Sequence, residues 1–207
     1  MDSYLLDHID EESPLLAALN REAHVKLLRP RMIAGHLQGR ILKMFCRMTR
    51  PKRVLEIGTY TAYSTLCMAE GLADDALIHS IEINDEMESF IRPYLDQSPD
   101  KDKIRIHWGD ARYIIPSLNE LFDLVFIDGD KREYCEYYDI AFPYVRSGGI
   151  ILADNTLWDS KVTEEVTTHR DRRTQGIIAF NDKIKHDPRI EKVILPLRDG
   201  LTVIYKL

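Results

Sequence analysis

Phe122-Asp123-Leu124-Val125-Phe126-Ile127-Asp128-Gly129-Asp130-Lys131 reads as a buried strand that stops in a cluster of polar residues. Leu124 to Ile127 form the continuous apolar run of a strand covered on both faces. A second stretch, entered through Gly148-Gly149, runs to Ala153 and stops at Asp154-Asn155, 26 residues after Asp128. Two neighbouring parallel strands ending side by side bring Asp128, Asp154 and Asn155 around one point. Three hard oxygen donors suit Mg²⁺ or Ca²⁺, and the ligand types also admit Mn²⁺. Mg²⁺ is favoured, because it keeps open positions for a chelating substrate. Lys131, three residues past the first ligand, reaches a substrate held there. Taken singly, each Asp or Asn also fits a helix or loop cap. Together at two strand ends they fit a reaction centre.

Outward from this stretch, strand and helix patterns alternate. Strands are predicted at Arg53–Ile57, Leu77–Ile83, Ile104–His107, Phe122–Ile127, Gly149–Ala153, Ile190–Leu195 and Leu201–Tyr205. Helices are predicted at Thr61–Gly71, Glu86–Gln97 (kinked at Pro93), Ala111–Leu118, Tyr134–Tyr144 and Gln175–Lys185. Such alternation gives an α/β, doubly wound, Rossmann-like fold with a seven-stranded, mostly parallel sheet. The last two strands are joined by too short a link for a crossover, so they form an antiparallel C-terminal hairpin. Residues 2–48 have helical periodicity, broken at Pro14 and Pro30, with apolar faces at Leu15, Leu16, Leu19 and at Leu37, Ile41, Leu42, Phe45. One domain over residues 1–207 is expected, with residues 1–48 a helical preface that serves as a substrate lid or a dimer contact.

Composition narrows the function. The 207 residues are 44% hydrophobic and 30% charged, a globular profile. A net charge of −6 argues against a broad nucleic-acid or membrane-binding face. Cys46, Cys67 and Cys135 show no metal-ligand spacing and read as reduced thiols. Neither a signal peptide nor an apolar stretch of about 18 residues is visible, so a cytoplasmic location is expected.

Ligands of such sheets bind beyond the carboxyl ends of the strands. The first strand runs into Glu56-Ile57-Gly58-Thr59-Tyr60-Thr61-Ala62-Tyr63-Ser64. Gly58 lets the chain turn tightly, Ser64 and the following helix start suit a carboxylate, and Glu56 supplies an acid where a cation must be attracted. An ordinary strand-to-helix turn explains this segment equally well. Glu82 closes the second strand and suits a ribose diol, with Ile83 beside an adenine. Asp110, in Gly109-Asp110-Ala111, suits either an adenine amino group or a helix N-cap, and the two roles are compatible. A dinucleotide fingerprint would need glycine at Tyr60 and Tyr63. Without them the pyrophosphate lacks room, and an adenosine with an amino-acid tail, S-adenosylmethionine, fits better.

Val54 to Ser64 resembles the first cofactor motif of the cation-dependent O-methyltransferases, the family of the catechol and caffeoyl-CoA enzymes and small bacterial relatives. The likeness continues through Glu82, Gly109-Asp110-Ala111, Ile127-Asp128-Gly129-Asp130-Lys131 and Asp154-Asn155-Thr156-Leu157-Trp158, and ends in Asp187-Pro188-Arg189-Ile190-Glu191 and Leu195 to Thr202. The resemblance implies that Glu56, Gly58, Thr59 and Ser64 contact the amino-acid end of the cofactor. It implies Glu82 at the ribose, Ala111 near the adenine, and Ala34 in a segment covering the cofactor. Asp128, Asp154 and Asn155 match the metal ligands and Lys131 the catalytic lysine, with Asp128 also serving catalysis and the cofactor. Asp130 agrees with the caffeoyl-CoA branch. Asp159 stands where that branch often has a substrate-touching asparagine. Ala62 stands where the family usually has glycine. A homodimer is also implied.

The reaction so implied moves a methyl group from a sulfonium to a phenolic or catechol-type hydroxyl of a small molecule. Lys131 takes the hydroxyl proton. Asp130, Trp158 and Asp159 are the candidate substrate contacts, while Trp108 also fits core packing. The alternative acceptor is a hydroxylated tRNA base, for which His169-Arg170-Asp171-Arg172-Arg173 would offer charge; that run also fits a solvated face. A non-catalytic binding module is disfavoured by Lys131 and its acidic neighbours, and a nicotinamide-dependent oxidoreductase by the missing glycines.

Overall fold

Apolar runs bounded by glycine, proline and aspartate become strands, and the amphipathic stretches between them become helices. The computed structural model describes residues 2–164 and 171–207. Its strands are β1 Arg53–Ile57, β2 Leu77–Glu82, β3 Ile104–Trp108, β4 Phe122–Ile127, β5 Val145–Asp154, β6 Ile190–Leu195 and β7 Leu201–Lys206. Its helices are α1 Asp2–Asp7, α2 Pro14–Lys26, α3 Gly35–Thr49, α4 Tyr63–Ala69, α5 Glu88–Gln97, α6 Ala111–Leu118, α7 Tyr134–Ala141 and α8 Arg172–Lys185. The strand order is β3-β2-β1-β4-β5-β7-β6. β1 with β4, β2 with β3 and β4 with β5 are parallel; β5 with β7 and β6 with β7 are antiparallel. The expected Rossmann-like sheet with its closing hairpin is therefore present. The returning strand of the hairpin, β7, is the one that pairs with the parallel part.

Several boundaries differ from the sequence expectation for visible reasons. β5 begins at Val145, not Gly149, because Val145 already pairs with Phe122 before an irregularity in the register. α7 gives way to a 3₁₀ turn at Phe142–Tyr144, where Pro143 has no N–H to continue the α-helical ladder. α5 runs on through Pro93. Among the described residues no helix is long and apolar enough to cross a membrane.

The described residues pack as two compact units. One comprises residues 2–52 and 59–109, the other residues 53–58, 110–164 and 171–207. In the first, Leu16 and Leu19 of α2, Leu42 and Cys46 of α3 and Leu66 and Met68 of α4 are buried. The face predicted for α3 is offset. Leu42 is buried, but Leu37, Ile41 and Phe45 are half-buried, and Gln38, Gly39 and Cys46 go inside instead. Gly39 is the reason: a Cβ there would stand 2.6 Å from Cys67 Sγ, so α3 seats on α4 at its bare backbone.

In the second unit, Phe122, Leu124, Val125, Phe126 and Ile127 of β4 are fully buried, as a two-sided apolar run requires. Each such side chain contributes roughly 1.5–3 kcal/mol relative to exposure. Tyr134 and Tyr138 of α7 meet Phe180 of α8 edge to face. β1 and β4 lie side by side where the strand order reverses, the position at which open α/β sheets bind ligands.

Candidate active site

β4 and β5 pair in register at Ile127 and Ala153, so Asp128, just past β4, and Asp154, the last residue of β5, stand level at neighbouring strand ends. Asp128 N–H donates to Ile57 O at 2.9 Å, drawing the tip of β1 against that of β4. Gly58 makes this approach feasible. Its φ is +104°, and a Cβ there would lie 2.5 Å from Asp128 O. Asp154 Oδ1 accepts the Asn155 N–H at 2.8 Å, and Asn155 adopts a left-handed conformation (φ 58°), which asparagine tolerates.

Lys131 opens a 3₁₀ turn, Lys131–Glu133, capped by Asp130, whose Oδ1 accepts Arg132 N–H at 3.0 Å. The Lys131 side chain turns inward and is 9% exposed. Its Nζ donates to Asp128 Oδ1 at 2.6 Å, Tyr134 OH at 2.9 Å and Gly129 O at 3.2 Å. A surface pairing with Asp130 or Glu133 is not what forms. Asp130 pairs with Arg132, which holds its carboxyl below the usual range, and Glu133 accepts from Tyr137. Burial, then the charges of Asp128 and Asp154, push the Tyr134 phenol well above its ordinary value, so it stays neutral.

Past β5 the chain turns sharply: Trp158, Asp159 and Ser160 all have positive φ. Leu157 N–H and Trp158 N–H donate to Asp199 O at 2.7 and 3.2 Å, which ties this loop to the turn before β7. Trp158 is half-buried, with Lys161 Nζ 6.0 Å from its ring centroid, and Asp159 is exposed. Burial and then Asp159 raise the Asp199 carboxyl. Glu56 is fully buried inside β1 rather than exposed at its end. Asp110 caps α6, accepting Arg112 N–H at 2.9 Å, and its ion pair with Arg112 lowers its carboxyl; Ala111 behind it is buried.

Of the cofactor candidates, Ala34, Thr59, Ser64, Glu82 and Ile83 fall in the other unit. Glu82 is buried at the end of β2; Oε2 accepts Tyr60 N–H at 2.7 Å and Oε1 accepts Asn84 N–H at 2.9 Å. Two backbone N–H donors thus fix the orientation of this carboxylate. Thr59 N–H donates to Ile81 O at 3.2 Å, and its hydroxyl meets Ser80 Oγ at 2.5 Å. Ser64, in the first turn of α4, and Ala34, before α3, are both buried, whereas Ile83 is 71% exposed. Tyr60 OH donates to Arg29 O at 2.9 Å and tethers the segment leading to Ala34.

Among the described residues no three or more His, Cys, Asp and Glu side chains gather as a metal cage. Asp128, Asp154 and Asn155 are a sparser set: two carboxylates and one amide, all hard oxygen donors, at neighbouring strand ends. That chemistry fits a magnesium-type ion that takes few protein ligands. Two residues escaped the sequence reading. Tyr134 was legible only as the first residue of a helix. Gly176, inside α8, sits where a Cβ would be 2.3 Å from Lys131 O, so the helix packs directly on the lysine turn. A glycine inside a helical pattern is the signal that marks such packing. His169 and Arg170 lie outside the described residues; Asp171 caps α8, and Arg172 and Arg173 are exposed.

The O-methyltransferase family profile matches residues 7–207. Tricin synthase 2 of Oryza sativa subsp. japonica is 33% identical over 180 residues, covering 82% of this chain; the chain spans 62% of that protein's length. Caffeoyl-CoA O-methyltransferase 1 of Eucalyptus globulus is 33% identical over 183 residues, 82% of this chain and 73% of the relative. Catechol O-methyltransferase of Niastella koreensis is 31% identical over 202 residues, 95% of this chain and 90% of the relative. The O-methyltransferase TomG of Streptomyces achromogenes, solved in complex with SAM, superposes with a TM-score of 0.91 at 25% identity, covering 99% of this chain and 95% of that one. The chain therefore belongs to the O-methyltransferase family, enzymes that move a methyl group from S-adenosylmethionine to oxygen.

Proposed function

We propose that this chain methylates a phenolic hydroxyl of a small catechol-type molecule, using S-adenosylmethionine and a divalent cation held by Asp128, Asp154 and Asn155. The observation that carries this reading is the buried Lys131 Nζ, 2.6 Å from Asp128 Oδ1 at a strand tip level with Asp154. A bound divalent cation lowers the pKa of a coordinated hydroxyl and fixes its direction. Glu82 accepts the ribose hydroxyls, its carboxylate already oriented by Tyr60 and Asn84. Gly58 keeps the backbone low at the β1 tip, where the amino-acid end of the cofactor approaches. Once it has released a proton to solvent, Lys131 Nζ takes the acceptor's proton as a free amine, the oxygen bonds to the methyl carbon, the carbon–sulfur bond breaks, and S-adenosylhomocysteine leaves. The sulfonium and the oxyanion neutralise each other, so alignment supplies most of the acceleration; well-oriented reactants reach effective molarities on the order of 10⁵–10⁸ M.

Trp158 and Asp159, on the turn after β5, are the proposed substrate wall, together with Asp130. Residues 1–207 act as one domain, as a homodimer in a reducing cytoplasm; an odd number of cysteines without metal-ligand spacing supports the compartment. The test is a labelled-methyl transfer screen with Mg²⁺ against catechols, hydroxycinnamoyl thioesters and total tRNA. Label is expected on a small phenol and is expected to vanish in excess chelator while S-adenosylmethionine still binds. Full turnover in chelator would discard the cation. Label confined to tRNA would replace the acceptor.

A further inference from the structure

Lys131 Nζ stands within hydrogen-bond reach of three oxygens: Asp128 Oδ1, Gly129 O and Tyr134 OH. The first two precede it in the same loop, and the third projects from the first turn of α7. Tyr134 is fully buried, and its hydroxyl lies 2.9 Å from Asp154 O and 3.2 Å from Ile127 O. A phenol donates one hydrogen bond and accepts others. Accepting from Lys131 and sharing its one proton between these two carbonyls, with Asp154 O the nearer, one oxygen touches the lysine, the end of β4 and the end of β5. Its ring is fixed by packing, standing edge-on to Phe180 at 5.5 Å and 89°.

We propose that Tyr134 is a positioning residue: its hydroxyl sets where Lys131 Nζ stands relative to the tips of β4 and β5. The proposal rests on Lys131 receiving the acceptor's proton. Without this anchor the flexible four-carbon stem of lysine spreads over more rotamers, and fewer of them place Nζ in line with the reacting oxygen. The loss falls on turnover, not on binding of either substrate.

The test compares wild type, Tyr134→Phe, Lys131→Met and the double variant with a catechol, S-adenosylmethionine and Mg²⁺. Calorimetric cofactor binding and thermal melts are measured on the same proteins. Tyr134→Phe is expected to lower kcat about 10- to 100-fold, leaving both KM values and cofactor affinity within about twofold. The double variant is expected to turn over no more slowly than Lys131→Met, because Tyr134 acts through the lysine. Wild-type kcat in Tyr134→Phe, or a further full drop in the double variant, overturns the positioning role. Wild-type turnover in Lys131→Met overturns the reading beneath it, so the two failures are distinct. If Tyr134→Phe does not fold, ¹⁵N-lysine NMR of the wild-type protein decides. Slowly exchanging Nζ protons on Lys131 support the anchor, and bulk-rate exchange removes it.

Discussion

Glu82 shows how a residue read from its place at a strand end is oriented by backbone donors. Each of its carboxylate oxygens takes one N–H, from Tyr60 or from Asn84. Glu82→Gln keeps the shape but turns an amide NH₂ toward one of those N–H groups, at a cost of about 1–3 kcal/mol. S-adenosylmethionine affinity is predicted to fall roughly tenfold or more by calorimetry. An unchanged Kd would remove Glu82 from the cofactor site. Asp110 and Asp130 are less legible. Asp110 suits an adenine amino group or a helix N-cap and Asp130 a substrate contact; each accepts the N–H two residues on and grips that residue's guanidinium: Arg112 for Asp110, Arg132 for Asp130. The Asp-x-Arg spacing recurs at Asp187 and Arg189 with the same geometry. The spacing builds a local turn and ion pair, which for Asp110 is the N-cap role expected of it.

Elements were readable wherever periodicity alone decides them, as in β4, α6 and β6. They were less readable where a bare or strained backbone decides how elements meet. Gly176 carries no side chain in the middle of α8, and helix propensity favours alanine there by about 1 kcal/mol. Packing overrides propensity, since the new Cβ would meet the Lys131 carbonyl at 2.3 Å and Arg132 Cα at 2.9 Å. Gly176→Ala is predicted to lower stability by about 1–3 kcal/mol and to reduce kcat, measured by denaturant melts and initial rates. Wild-type rates would show that α8 does not fix the lysine turn. Ala62 is the converse case. It precedes α4 at φ 62° and is fully buried, a left-handed position that costs an alanine about 1–2 kcal/mol. This is the physical reason a glycine suits that place. Ala62→Gly is predicted to raise stability by about 0.5–1 kcal/mol, after the greater chain entropy of glycine is subtracted. A lower melting temperature would refute the strain.

At the scale of the whole molecule, the alternation of strand and helix patterns announced the parallel sheet, and the short link at residues 196–200 announced the hairpin. The place of β7 between β5 and β6 was not legible, because periodicity says which face of a strand is buried but not which strand is its neighbour. The turn at residues 155–160, the proposed substrate wall, was illegible for a related reason: positive φ values and contacts to Asp199 set its path. Acid stability tests the fold's closing segment. Asp187 joins the end of α8 to β6. It accepts from Tyr138 OH at 2.9 Å and from Arg189 N–H and Nε at 3.0 and 2.9 Å. These bonds, led by that of Arg189, hold its carboxyl well below the usual range. A carboxyl depressed on folding adds stability above its unfolded pKa, near 3.9, and loses it as the pH falls toward the folded value. Asp187→Asn is therefore predicted to be less stable than wild type at pH 7. The gap should narrow as the pH is lowered from about 4, since protonation removes from wild type what the substitution has already removed. Paired denaturant melts across that range measure it, and a gap that stayed constant with pH would show that the Asp187 charge contributes nothing.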